Sequence, residues 1–150
     1  MKVSFLHQFA MFGILIISVT VHSQNKNLEE DTALNFQTHF FEALKQRAIN
    51  NYSKAIESLE KCAEIDKEND AVEFEFSKNH LLLKNYDQAE LFINKALKSD
   101  PNNIYLLQHK VKINKAQGDL KGAIEDQKRI VEMQPKLSDD LVLLYIQNKN

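Results

Sequence analysis

The chain has 150 residues, a formal net charge of −2, 43% hydrophobic and 27% charged residues, 3 Gly, 2 Pro, 1 Cys and no Trp. So few turn-formers argue against sandwiches, barrels and multi-stranded sheets, which need Gly, Asn or Pro at each corner. Balanced charge excludes nucleic-acid binding driven by bulk charge and an acidic disordered tail, and a single Cys excludes a disulfide framework and a multi-Cys metal site.

The first segment, MKVSFLHQFAMFGILIISVTVHSQ, reads as an export signal. Lys2 supplies a positive start, Phe9 to Val21 is an uncharged and mostly apolar run, and Val21-His22-Ser23 predicts cleavage after Ser23. That run is short for a spanning helix, which needs about 20 residues. The alternative reading is an uncleaved anchor beginning near Val3. Residues 24–35 form a polar lead, starting Gln24-Asn25-Lys26-Asn27, and the beginning of a first helix.

Downstream the chain repeats itself. Asn50-Asn51-Tyr52-Ser53-Lys54-Ala55-Ile56, Lys84-Asn85-Tyr86-Asp87-Gln88-Ala89-Glu90 and Gly118-Asp119-Leu120-Lys121-Gly122-Ala123-Ile124 stand 34 residues apart without insertion. The same interval relates Tyr52, Tyr86 and Leu120, then Ala55, Ala89 and Ala123, then Cys62, Ala96 and Ile130. Each unit holds two helical stretches around a polar turn. Ala55, Ile56, Leu59, Cys62 and Ala63 form one apolar stripe, as do Ala89, Phe92, Ile93, Ala96 and Leu97. Small residues at 55, 89 and 123 let antiparallel helices approach closely. Pro101 and Pro135 close two units, since Pro lacks the amide donor and cannot continue a helix. The predicted units are 36–69, 70–103 and 104–137, followed by a terminal helix at 138–150.

These motifs resemble the tetratricopeptide repeat family, a helix–turn–helix of this length. The resemblance implies an all-α, right-handed solenoid of stacked hairpins. Asn85-Tyr86-Asp87-Gln88-Ala89 through Lys95-Ala96-Leu97-Lys98-Ser99-Asp100-Pro101-Asn102-Asn103 lies close to the family pattern. The first helices depart from it: the preferred Trp place carries His39, Glu73 and Leu107, and the Leu place carries Glu42, Phe76 and Lys110. The terminal Leu141-Val142-Leu143-Leu144-Tyr145-Ile146 is apolar nearly all round, which fits a helix awaiting another neighbour. It suggests a truncated fourth repeat, or self-association through residues 138–150; the alternative is a lone terminal helix that caps the solenoid.

Catalytic chemistry finds little support. His39, His80 and His109 are scattered without metal-ligand spacing, no Gly-rich phosphate loop exists, and Cys62 reads as a buried structural thiol. No metal, cofactor or nucleic acid is expected. The resemblance implies a concave groove lined by first helices, and a protein or peptide partner within it. Its groove places fall on Gln37, Phe40, Leu44 and Arg47, on Ala71, Phe74, Lys78 and Leu81, and on Tyr105, Gln108, Lys112 and Lys115. Chaperone-tail binders clamp a terminal carboxylate with Lys and Asn where Phe40 and Leu44 stand here, so that specificity is not expected. An apolar end (Phe40, Leu44, Phe74) passing into a basic stripe (Lys78, Lys112, Lys115, with Arg47 nearby) points to a partner segment with apolar anchors and acidic residues. The alternative is that the lysines are solvated surface and the phenylalanines are packing.

The functional expectation is a non-enzymatic interaction scaffold in the periplasm or envelope of a bacterium, with a likeness to Lys- and Asn-rich exported repeat proteins of Bacteroidetes. Two other readings stay open: the sensor or scaffold part of a longer signalling or enzymatic protein, and a self-assembling structural unit.

Overall fold

The computed structural model describes residues 28–149, so the expected leader, residues 1–23, and residues 24–27 of the lead lie outside the described residues. Every regular element among the described residues is helical. Helix α1 covers residues 28–48. It is followed by α2 (Tyr52–Ile65), α3 (Asp70–Leu82), α4 (Tyr86–Ser99), α5 (Ile104–Gln117), α6 (Leu120–Met133), a 3-10 turn at Pro135–Leu137 and α7 (Ser138–Lys149). None is long and apolar enough to cross a membrane. The chain divides into two compact units, Met1–Thr38 and His39–Asn150. In the described part of the first, the Thr32 and Thr38 hydroxyls donate to the carbonyls of Leu28 and Leu34. The second unit holds α2 to α7.

Its helices pack on their chain neighbours, α2 on α3, α3 on α4, α4 on α5, α5 on α6 and α6 on α7. Ala55, Ala89 and Ala123 are fully buried, as are Cys62, Ala96 and Ile130. Tyr52, Tyr86 and Leu120 are half-buried, and Pro101 and Pro135 are exposed, Pro135 opening the 3-10 turn. Leu59 and Ile93 are fully buried at one repeat place, where complete burial of such a side chain contributes about 1.5–3 kcal/mol. The third unit puts Gln127 there instead, and its Nε2 donates to the Leu137 carbonyl at 3.1 Å, tying the 3-10 turn to α6.

Helix α5 belongs to two cores at once. Leu106 and Ile113 pack with Ala89, Ile93 and Ala96 of α4. Leu107 and Val111 pack with Ala123, Ile124 and Ile130 of α6 and with Leu144 of α7. A helix buried on two sides shows no single apolar stripe, which is why the first helices depart from the simple repeat pattern. Helix α7 buries only Leu144, leaving Val142, Leu143, Tyr145 and Ile146 exposed.

The turns repeat in detail. Asn69 and Asn103 cap α3 and α5: each side-chain oxygen accepts from the amides two and three residues on, and each Nδ2 donates to Asp66 or Asp100. This satisfies amides that the helix itself leaves without partners. Between the helices of each hairpin sits a residue of positive φ: Asn50 (61°), Lys84 (61°) and Gly118 (87°). The next amide reaches back to the carbonyls of Gln46, His80 and Asn114 at 2.8, 2.9 and 2.8 Å, closing the same helix-ending motif three times. Only the third turn uses Gly, and a Cβ on Gly118 would meet nothing within 4 Å, so the cost of a side chain there is conformational. Gly122 serves differently, since a Cβ would collide with the Asp119 carboxylate that caps α6 through the Gly122 amide.

A left-handed residue costs an L-amino acid roughly 1–2 kcal/mol, and Gly costs about 0.5–1 kcal/mol of extra unfolded-state entropy. Lys84→Gly is therefore expected to stabilise the protein by about 0.5–1 kcal/mol in urea unfolding, and Gly118→Ala to destabilise it by a similar amount.

Candidate functional site

The face expected to form a groove is built around a residue to which the sequence reading gave no role. Glu75 on α3 is buried, at 7% exposure, and its carboxylate pairs with Arg47 of α1 at 3.1 Å and with Lys78 one turn along α3. Lys78 also lays its ammonium over the Phe74 ring, 4.4 Å from the centroid. Phe74 meets the His109 ring of α5 edge-to-face at 5.2 Å. His109 Nε2 stands 3.1 Å from Ser77 Oγ, and that hydroxyl donates to the Ala89 carbonyl at 2.7 Å. Because Ser77 gives its proton to Ala89, His109 holds its own on Nε2 and donates to Ser77. Burial lowers the His109 pKa to about 4, helped by the nearby charges of Lys112 and Lys78, so the ring is neutral at pH 7.

The structure thus brings Arg47, Phe74 and Lys78 together, but around Glu75. The basic stripe expected from the sequence is correspondingly altered, because two of its cations already hold a carboxylate of the chain. Lys112 and Lys115 differ. Both are exposed, and among the described residues neither forms an ion pair. With Gln108 they line a cleft of about 380 Å³ between α5 and α7, whose other walls include Gln127, Leu143, Leu144 and Gln147, with one carboxylate, Asp140. Phe40 and Leu44 are half-buried on α1, Ala71 is exposed and Leu81 packs against the α4–α5 core. Tyr105, at 77% exposure, stands in solvent at the start of α5, and Gln37 is exposed in the first unit.

A second buried polar group anchors the third hairpin. Asn114 Nδ2 donates to Asp126 Oδ2 at 3.0 Å, and Lys110 and Arg129 stand 3.9 Å from the same carboxylate. Burial pushes the Asp126 carboxyl up, and Lys110, Arg129 and the Asn114 amide pull it back. One repeat earlier, the equivalent places hold His80 and Phe92, stacked at 5.4 Å with 6° between planes. The same helix–helix contact is thus an aromatic stack in one unit and a hydrogen-bonded polar pair in the next. Neither Glu75, His109 nor Asp126 carries a sequence signal of its own; Glu75 and His109 share a repeat place, and comparing first helices in register was the signal available. Among the described residues no group of three or more His, Cys, Asp or Glu could hold a metal ion, and burial raises the pKa of the Cys62 thiol, disfavouring the reactive thiolate.

Residues 47–111 match a family model described as Tetratricopeptide repeat. No curated protein matches the sequence. Among solved structures, the chain is 18% identical to the first TPR of Spaghetti (RPAP3) bound to HSP90 peptide SRMEEVD, at a TM-score of 0.69, covering 78% of this chain and 95% of that one. The second TPR domain of human RPAP3, in complex with HSP70 peptide SGPTIEEVD, is 15% identical at a TM-score of 0.66, covering 76% and 98%. A crystal structure of MamA is 16% identical at a TM-score of 0.69, covering 77% and 69%.

Protonating His109 in the fold requires its pKa to be met at about 4 rather than the ordinary 6.5. The folded state binds fewer protons than the unfolded chain between these values, so stability present above pH 6.5 is lost as pH falls through 4, by up to about 3 kcal/mol. Burial raises the carboxyl pKa values of Glu73 and Asp126, which act in the opposite sense. The His109 contribution is therefore read as a difference: His109→Gln is expected to flatten the pH 7-to-4 loss of urea-unfolding free energy relative to the parent.

Proposed function

Because residues 47–111 match a tetratricopeptide repeat model, we propose that this protein is a non-enzymatic interaction scaffold whose first helices hold a partner segment bearing acidic and apolar side chains. The observation that carries this reading is the α5–α7 cleft, where Lys112 and Lys115 form no ion pair among the described residues, Asp140 is the one carboxylate of the lining, and Leu143 offers apolar surface beside them. The peptides named with the two RPAP3 domains, SRMEEVD and SGPTIEEVD, each carry two Glu and one Asp, which is the chemistry such a cleft takes. The Lys and Asn that the chaperone-tail resemblance calls for are replaced by Phe40 and Leu44, so contact centres on α5 instead of α1. Arg47 and Lys78 serve mainly to hold Glu75, and Phe74 supplies the apolar floor between the two ends. Preformed helices limit the ordering cost that association carries.

The scaffold acts in the periplasm or envelope of a bacterium, exported by residues 1–23. The support is the sequence pattern of that segment, and the mature protein recovered from the envelope is expected to begin at Gln24 by intact-mass measurement. An uncut chain in the membrane fraction would mean the anchor reading instead.

Affinity capture from envelope extracts with the mature protein tests the binding proposal. Lys112→Glu/Lys115→Glu is expected to weaken retention of the captured partner by about tenfold, or ~1.4 kcal/mol. Lys78→Glu should weaken it less, since Lys78 is already engaged by Glu75. Undiminished retention by the double variant excludes the cleft as the contact.

A further inference from the structure

We propose that the cleft between α2 and α4, floored by α3, is a second binding site that takes an arginine-bearing segment of a partner protein. It lies on the side of α3 that carries Phe76 and His80, whereas Phe74 and Lys78 serve the groove. Its volume is about 720 Å³, within the usual range of roughly 300–1,000 Å³ for ligand sites.

An aromatic wall and unmatched carboxylates define its chemistry. Phe92 of α4 stacks on Phe76 at 4.6 Å with 17° between planes, and its ring lies near-parallel to His80. Glu60 and Glu64 stand one helical turn apart on α2, both exposed, and among the described residues neither forms an ion pair. The Oε2 of Glu73 is buried with no hydrogen-bond partner, as is Nδ1 of His80.

One cation of the chain already shows what the site accepts. The ammonium of Lys95 lies 4.8 Å from the Phe92 centroid and 3.5 Å from Glu73 Oε1. Its side chain is 43% exposed, so it is a displaceable resident. A guanidinium does more in the same place: its plane stacks on the ring while its five N–H groups can serve carboxylates of the α2 wall and the α3 floor together, which an ammonium on a single stem cannot. Three carboxylates against Lys67 and Lys95 disfavour an acidic segment here, in contrast to the α5–α7 cleft.

Fluorescence anisotropy of the full chain with a labelled, capped peptide of two arginines flanked by leucines tests the proposal, against the same peptide with citrulline for arginine. The arginine peptide is expected to bind at least about tenfold more tightly than its citrulline counterpart, and more weakly as salt rises. Glu60→Gln/Glu64→Gln, at exposed positions, should weaken it about tenfold, while Lys95→Met should tighten it about threefold by removing the resident cation. Lys112→Glu/Lys115→Glu should leave it unchanged, which separates this site from the groove. Equal affinity for the two peptides, full binding by the glutamine variant, or weaker binding by Lys95→Met would overturn the proposal, as would loss of binding in the Lys112/Lys115 variant.

Discussion

The first helices α3 and α5 must each be covered on two sides, by the second helix before and by the second helix after, and the rest of the unit follows from that constraint. Helix α5 satisfies it with Leu106 and Ile113 toward α4 and with Leu107 and Val111 toward α6. Two apolar contacts on one cylinder leave a narrow strip to water, and Gln108, Lys112 and Lys115, at successive helical turns, stand on it. The close approach depends on the buried alanines of the second helices, because any larger side chain at 89 or 123 would push the wall away from its neighbour. A groove lined by polar residues of first helices is therefore a consequence of the packing and needs no separate arrangement.

Polar groups at buried places then set what that groove offers. Glu75 and His109 occupy the same place in successive units, facing the junction between one first helix and the next. As a carboxylate, Glu75 draws Arg47 and Lys78 inward. As a neutral imidazole, His109 binds Ser77 and the edge of Phe74 while Lys112 stays in solvent. The two ends of the groove differ in free positive charge for that reason, although their first helices carry cations in both. The alternation of His80–Phe92 with Asn114–Asp126 lies on the opposite side: one geometric contact accepts either an aromatic stack or a hydrogen-bonded polar pair.

Much of the architecture was legible in the residues. The interval relating Ala55, Ala89 and Ala123 identified the hairpins, and the single apolar stripes of α2 and α4 marked them as helices covered on one face. The first helices were harder to read because two half-stripes on opposite sides cancel in any one-face pattern. The left-handed turn residue falls on Asn50, Lys84 and Gly118 alike; Gly and Asn favour that conformation locally, whereas at Lys84 the close of the hairpin imposes it. In the candidate site, Lys112 and Lys115 stand in solvent, whereas Arg47 and Lys78 are engaged by Glu75, which the sequence reading did not single out although it lies one turn from Lys78 on α3.

The sequence by itself determined that this protein is a stack of helical hairpins with a fixed interval. Helical periodicity and the recurrence of small residues are written locally, and each unit repeats the same instruction. Tertiary structure alone decided which charges remain available to a partner. Whether Arg47 faces water or a carboxylate depends on the register between α1 and α3, because its partner Glu75 stands on another helix. Coulombic attraction acts across that gap in space, where sequence separation carries no information.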